Sequence, residues 1–136
     1  DFSAKMAVNC IENALKRAGM CGVDYVNLHG TGTQANDKME AKTVNLTLGA
    51  TFASTLKPQI GHTLGAAGAI ESAICAMLCM EENSLLPPHV YDGEYDESLE
   101  AVNLVKSGTK FDVKTAMSLS FAFGGDNAAI IFKRVR

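Results

Sequence analysis

Several features are missing from this sequence, and each absence excludes a class of function. No stretch of about 18 uncharged residues occurs, so there is no candidate for a membrane-spanning helix. No Lys/Arg cluster interleaved with aromatic side chains occurs, and a net charge of −3 offers nothing for nucleic acid to bind. No basic segment followed by an apolar run opens the chain, so no secretory leader is expected. The four cysteines, Cys10, Cys21, Cys75 and Cys79, lack the spacing of a disulfide framework, a zinc finger or a zinc ribbon. Cys75 and Cys79 lie four apart in an apolar helical pattern, where cysteine serves as a small hydrophobe. A reducing cytoplasm is the expected setting, with no bound metal.

What is present is a chain of 136 residues, 47% hydrophobic and 20% charged, which suits one globular domain with a real core. Helical spacing of Met6, Ala7, Cys10, Ile11, Ala14, Leu15 and Ala18 predicts a first helix capped by Ser3 and ended near Gly19 and Gly22. Residues 25–28 read as a buried strand running into His29-Gly30-Thr31-Gly32-Thr33, too rich in glycine for strand or helix. Asp37 and Glu40 have capping-box spacing, which predicts a helix over 38–48 closed by Gly49. Residues 51–55 form the next strand. A helix over 64–82 is apolar nearly all round, which predicts burial on several faces. Pro87 and Pro88 stop it. An acidic excursion with a short strand at 102–105 follows, and then a hairpin of residues 115–121 and 128–132. The expected architecture is α/β, a mixed β-sheet layered with α-helices.

Three loops follow three of these strands, and in one sheet they would meet at one edge. The first carries His29. The second carries Lys57 and His62 on a stiff connection, where Pro58 cannot enter a sheet and Gly61 permits a tight turn. The third is Phe123-Gly124-Gly125-Asp126-Asn127. Carboxyl ends of strands are where open α/β sheets gather their reacting groups. Two imidazoles facing one point can each donate a hydrogen bond to an oxygen that becomes negative, and a nearby lysine keeps an imidazole neutral. The chemistry suggested is that of a carbonyl or thioester passing through an enolate or tetrahedral oxyanion. Plainer readings exist for each residue: a solvated Lys57, a His29 bonded within its own turn, and Asp37 and Glu40 as capping residues. Glu71, alone on an apolar helix, needs a cationic or hydrogen-bonding partner. His89, beside two prolines, reads as an ordinary loop residue.

His29-Gly-Thr-Gly-Thr33, Asp37-x-x-Glu40, Lys57-x-x-x-Gly61-His62-Thr63 with Gly65-Ala-Ala-Gly68, and Phe123-Gly-Gly-x-Asn127 together resemble the C-terminal half of a β-ketoacyl-acyl-carrier-protein synthase, a condensing enzyme of thiolase-like fold. The resemblance covers nearly the whole chain. It implies decarboxylative Claisen condensation in fatty-acid or polyketide biosynthesis. His29 and His62 would hold the malonyl thioester oxygen, and Lys57 would support them with Glu71. Asp37, Glu40 and Asn127 would belong to the supporting network. Thr31 and Thr33 would contact the pantetheine arm, and Phe123, with Gly124 and Gly125, would form a gate near the nucleophile. No cofactor is implied beyond the phosphopantetheine arm of acyl carrier protein. The implied partners are that carrier, the N-terminal half of the same synthase, and a second subunit in a homodimer or heterodimer.

Two departures stand out. Ala122 and Asp126 replace residue types usual in the family's last motif, and Asp126 would alter acyl-chain preference or loop motion. None of the four cysteines sits in the family's nucleophile motif, so residues 1–136 alone are expected to be inactive. The resemblance also implies that the first strand of the thiolase-like half is missing, which would leave an unpaired position flanked by two strands. A non-catalytic subunit resembling a chain-length factor is the alternative, although such a scaffold has no use for paired oxyanion donors. A phosphate-binding loop at residues 29–33 is disfavoured because no Lys-Ser/Thr pair follows its glycines.

Overall fold

Helix α1 (Lys5–Ala18) buries Ala7, Ile11 and Leu15, a four-residue spacing that forms one apolar stripe. Gly19 ends it in the left-handed conformation, its N–H returning to the carbonyls of Leu15 and Lys16. The computed structural model describes residues 4–122 and 124–135, so the expected cap at Ser3 lies outside the described residues. After α1 come β1 (Tyr25–Asn27), α2 (Gln34–Leu48), β2 (Phe52–Ser54) and a one-turn helix α3 (Lys57–Ile60). A 3₁₀ turn (Leu64–Ala66) leads into α4 (Ala67–Met80). A two-stranded ribbon of β3 (Ser84–Leu85) and β4 (Lys110–Phe111) precedes the hairpin of β5 (Thr115–Phe121) and β6 (Asn127–Lys133).

The main sheet has the order β2-β1-β5-β6, with β1 parallel to both β2 and β5, and β6 antiparallel to β5. Alternation along β1 divides its side chains between two cores. Val26 joins α1, α2, Met117 and Leu119 on one face, and Tyr25 joins Cys75, Leu78 and Cys79 of α4 on the other. The result is three layers, helices on both faces of a mixed sheet.

Polar stitches bind the layers. The Asp24 carboxylate accepts hydrogen bonds from the N–H of Lys114, the N–H of Thr115 and the Thr115 hydroxyl, each at 2.9 Å, which ties the start of β1 to β5. Arg134 donates to the Cys79 and Glu81 carbonyls at 2.8 and 2.6 Å, satisfying orphan acceptors at the end of α4. It also donates to Val113 O and pairs with Asp112, both just before β5.

Several expectations are corrected. The sheet has no vacant interior position, because β1 pairs directly with β5 in the register Tyr25–Ala116 to Asn27–Ser118. Among the described residues, the unpaired edge is the outer side of β6. Residues 102–105 do not form a strand but make a single parallel bridge, Leu104 to Ala53, along the outer edge of β2. Helix α2 starts at Gln34 rather than 38, because the Thr33 hydroxyl accepts from the N–H of Asn36 and serves as its cap. The strongly apolar α4 is not buried on several faces. Leu64 just before it, and Ile70, Met77 and Met80 along it, are exposed. Among the described residues no helix is long and apolar enough to cross a membrane.

Candidate active site

The loops after β1 and β2 lie side by side because those strands are adjacent and parallel. Leu28 donates its N–H to Ser54 O at 2.8 Å, so the pairing continues to the point where both chains leave the sheet. The two imidazoles come together there. The rings of His29 and His62 meet edge to face at a centroid separation of 5.8 Å, and Phe121 at the end of β5 packs 6.1 Å from His29.

The His29 loop is held from below by Glu40, which is 3% exposed. Its two carboxylate oxygens accept the N–H of His29 at 2.6 Å and the N–H of Gly30 at 2.8 Å, and Asn36 adds a third bond at 3.1 Å. Glu40 therefore does not cap its own helix as the spacing alone suggested; it binds the backbone of the preceding loop. Burial nevertheless outweighs these donors and pushes its carboxyl up to about 7. Asp37 accepts from the Asn36 amide, which also donates to Glu40. Gly30 is required by conformation and by space: its φ is +46°, and a Cβ there would fall 2.4 Å from the Cβ of Thr55.

Lys57 opens α3 and is 8% exposed, with its ammonium 2.5 Å from Glu71, which is 1% exposed on α4. Glu71 thus has the cationic partner its place on an apolar helix demanded. The pair places a fixed positive group beside the imidazoles. Burial first, then Lys57, then His62 lower the pKa of His29 to about 4, so its ring is neutral at physiological pH. In His62, Nδ1 accepts the N–H of Leu64 at 3.1 Å, which leaves Nε2 as the donor of that ring.

Other expected residues sit around this centre with different duties. Thr31 lines a cavity of about 500 Å³ together with Lys57, His62, Glu40 and Asp37. Thr33 bonds to Thr31 at 3.1 Å and caps α2, so its hydroxyl already serves the fold. Phe123 lies outside the described residues. Gly124 and Gly125 take φ of +97° and +94° in the hairpin turn, and Asp126 is exposed there, its carbonyl accepting the N–H of Ala122. Asn127 opens β6 opposite Phe121 and lines a groove against α1. Among the described residues it makes no hydrogen bond to His29, His62 or Lys57. The sequence reading missed Thr55, whose hydroxyl bonds both the His29 loop and the Lys57 turn, and His89, which bonds the Thr55 N–H. Thr55 gave no signal because its role depends on contacts 25 and 34 residues away.

Comparison with known proteins agrees with this fold. Residues 2–91 match the family described as beta-ketoacyl synthase, C-terminal domain. The chain is 36% identical to 3-oxoacyl-[acyl-carrier-protein] synthase 2 of Coxiella burnetii over 99% of its own length, yet it spans only 34% of that relative. A crystal structure of a beta-ketoacyl synthase from Burkholderia phymatum superposes with a TM-score of 0.91 at 32% identity, over 98% of this chain and 33% of that one. A structure of the ketosynthase ApeO in complex with its chain length factor ApeC, from Xenorhabdus doucetiae, gives 0.88 at 38% identity, over 95% and 33%. The fold, two adjacent imidazoles beside a buried Lys–Glu pair, and these matches lead to one conclusion: the chain belongs to the β-ketoacyl synthase family, as a C-terminal domain with the thiolase-like fold.

Proposed function

We propose that this chain is the decarboxylating part of a β-ketoacyl-acyl-carrier-protein synthase, in which His29 and His62 jointly bind the thioester oxygen of a malonyl group. One observation carries the reading: the two rings face each other at 5.8 Å, with His29 held neutral by burial and by Lys57. When the malonyl C–C bond breaks, carbon dioxide leaves and the electron pair moves onto the thioester as an enolate. Two N–H donors aimed at that oxygen stabilise the developing charge without having to reorganise. The enolate carbon then attacks an acyl-cysteine carbonyl, and the cysteine departs as thiolate. Lys57 and Glu71 set the local charge and take no proton in this scheme.

The nucleophilic cysteine is assigned to a part of the synthase beyond these residues. Burial raises the thiol pKa of Cys10, Cys75 and Cys79, with Cys75 at about 12, the reverse of what an attacking thiolate requires. The exposed apolar side of α4 is where the remainder of the synthase is proposed to pack. Acyl carrier protein would deliver both substrates in the cytoplasm, and the working unit would be a dimer.

Full-length protein incubated with an acyl thioester and malonyl-carrier-protein, then digested and weighed, tests the reading. The expected adduct is an acylated cysteine outside residues 1–136, retained by His29→Ala and His62→Ala while condensation is lost. Absence of any adduct would favour the chain-length-factor alternative. Ketoacyl product from residues 1–136 alone would defeat the assignment of the nucleophile.

A further inference from the structure

The segment after Pro88 forms a strap that runs from His89 back to β2. Its ends are fixed by backbone bonds, His89 N–H to Val105 O and Val105 N–H to Ala53 O, both 2.9 Å. Among the described residues, one strap side chain hydrogen-bonds the junction of the two loops. His89 Nδ1 accepts the N–H of Thr55 at 3.4 Å. Thr55 is 3% exposed and follows the carboxyl end of β2, two residues before α3 begins.

Thr55 reaches both catalytic loops. Its hydroxyl donates to Gly30 O at 3.4 Å, next to His29, and accepts the N–H of Lys57 at 3.3 Å. Its side chain fills the space that a Cβ on Gly30 would need. Thr55 therefore ties the His29 loop to the Lys57 turn through its hydroxyl, with its side chain packed against Gly30. His89 in turn supplies the acceptor for Thr55's buried N–H and is itself backed by Tyr91, whose ring lies edge-on at 5.5 Å.

We infer that Thr55 and His89 are positioning residues for the decarboxylation, Thr55 spacing the His29 loop from the Lys57 turn and His89 holding Thr55 in register from the strap. The inference rests on the decarboxylating role proposed above. His89 must be neutral for Nδ1 to accept a bond, and burial does lower its pKa. Asp37, on α2, opposes this shift, and Asp92, Glu94 and Asp96 of the strap line the same cavity. Neither residue touches the reacting atoms in this role. Each acts through the placement of His29 and Lys57, where a displacement of about 1 Å is enough to cost roughly a hundredfold in rate.

The test uses the full-length synthase, with carbon dioxide release from malonyl-carrier-protein and acyl-cysteine formation measured separately. Thr55→Val keeps the shape and removes the hydroxyl, whereas Thr55→Ser keeps the hydroxyl. His89→Leu removes the acceptor, whereas His89→Asn keeps one near the Nδ1 position. Thr55→Val and His89→Leu are expected to lower decarboxylation kcat about ten- to a hundredfold, with KM and acyl-cysteine formation unchanged and near-parental rates in Thr55→Ser and His89→Asn. A kcat within about twofold of the parent in His89→Leu, equal impairment in His89→Asn, or acylation falling in step with decarboxylation would each overturn the inference. A parent that decarboxylates but is insensitive to His29→Ala would overturn the role of the site itself, which is a separate failure.

Discussion

At the scale of single residues, two groups that meet at the same loop, His29 within it and Glu40 on α2 beneath it, are shifted in opposite senses. His29 has a folded pKa near 4 against an ordinary 6.5, so between those values the unfolded chain binds a proton that the folded site refuses. Its effect is to lower stability as pH falls through that window. Glu40, raised to about 7 from 4.5, holds a proton in the fold that the unfolded chain has released. Its contribution is present below pH 4.5 and is lost as pH rises toward 7. Removing one should unmask the other. In urea unfolding between pH 4.5 and 7, His29→Gln is expected to lose stability with rising pH more steeply than the parent. Glu40→Gln is expected to gain relative to the parent over the same range. Parallel pH profiles for all three proteins would show that neither group is shifted. The loop position of His29 is legible in sequence because Gly-Thr-Gly after an apolar run ends a strand. Glu40's role was not, because its spacing from Asp37 mimics a capping box while its oxygens reach backward across space.

At the scale of elements, α4 is anchored by charge at both ends. Glu71 near its start meets Lys57, and Arg134 from the end of β6 reaches the carbonyls at its close. Arg134 fans out to four acceptors, Cys79 O, Glu81 O, Val113 O and Asp112, a geometry that a lysine ammonium cannot span. Arg134→Lys is expected to cost about 1–3 kcal/mol in chemical denaturation, the range for lost bonds to a charged donor. A loss under about 0.5 kcal/mol would mean that water replaces the arginine without penalty. Nothing local to Arg134 advertises this role. It depends on β6 running antiparallel to β5 and delivering the residue beside the far end of a helix 55 positions earlier.

At the scale of the whole molecule, the surface left uncovered is unusual for a soluble domain. Ile70, Met77 and Met80 are 37%, 57% and 80% exposed on α4, and Leu64 in the 3₁₀ turn before it is 77% exposed. Ile130 is 49% exposed on β6, whose outer edge has no strand partner among the described residues. Residues 1–136 expressed alone are expected to self-associate at tens of micromolar. Met77→Lys combined with Met80→Lys is expected to shift sedimentation toward the monomer without changing the circular dichroism. A parent that is strictly monomeric at that concentration, or a variant that associates equally, would count against exposed α4 as the cause.

The sequence by itself determined the α/β class, the order of the main elements and the three histidine- and lysine-bearing positions. Those depend on local rules: helical and alternating periodicity, glycine and proline at turns, and side-chain types that few loops other than reactive ones combine. Only the tertiary structure decided that Glu40 grips the His29 loop, that Thr55 bonds Gly30 while His89 bonds Thr55, that β1 joins β5 directly, and that an apolar helix keeps one side exposed. Each of those depends on which strand lies beside which, and strand adjacency is set by burial summed over the whole sheet, which no short window of sequence contains.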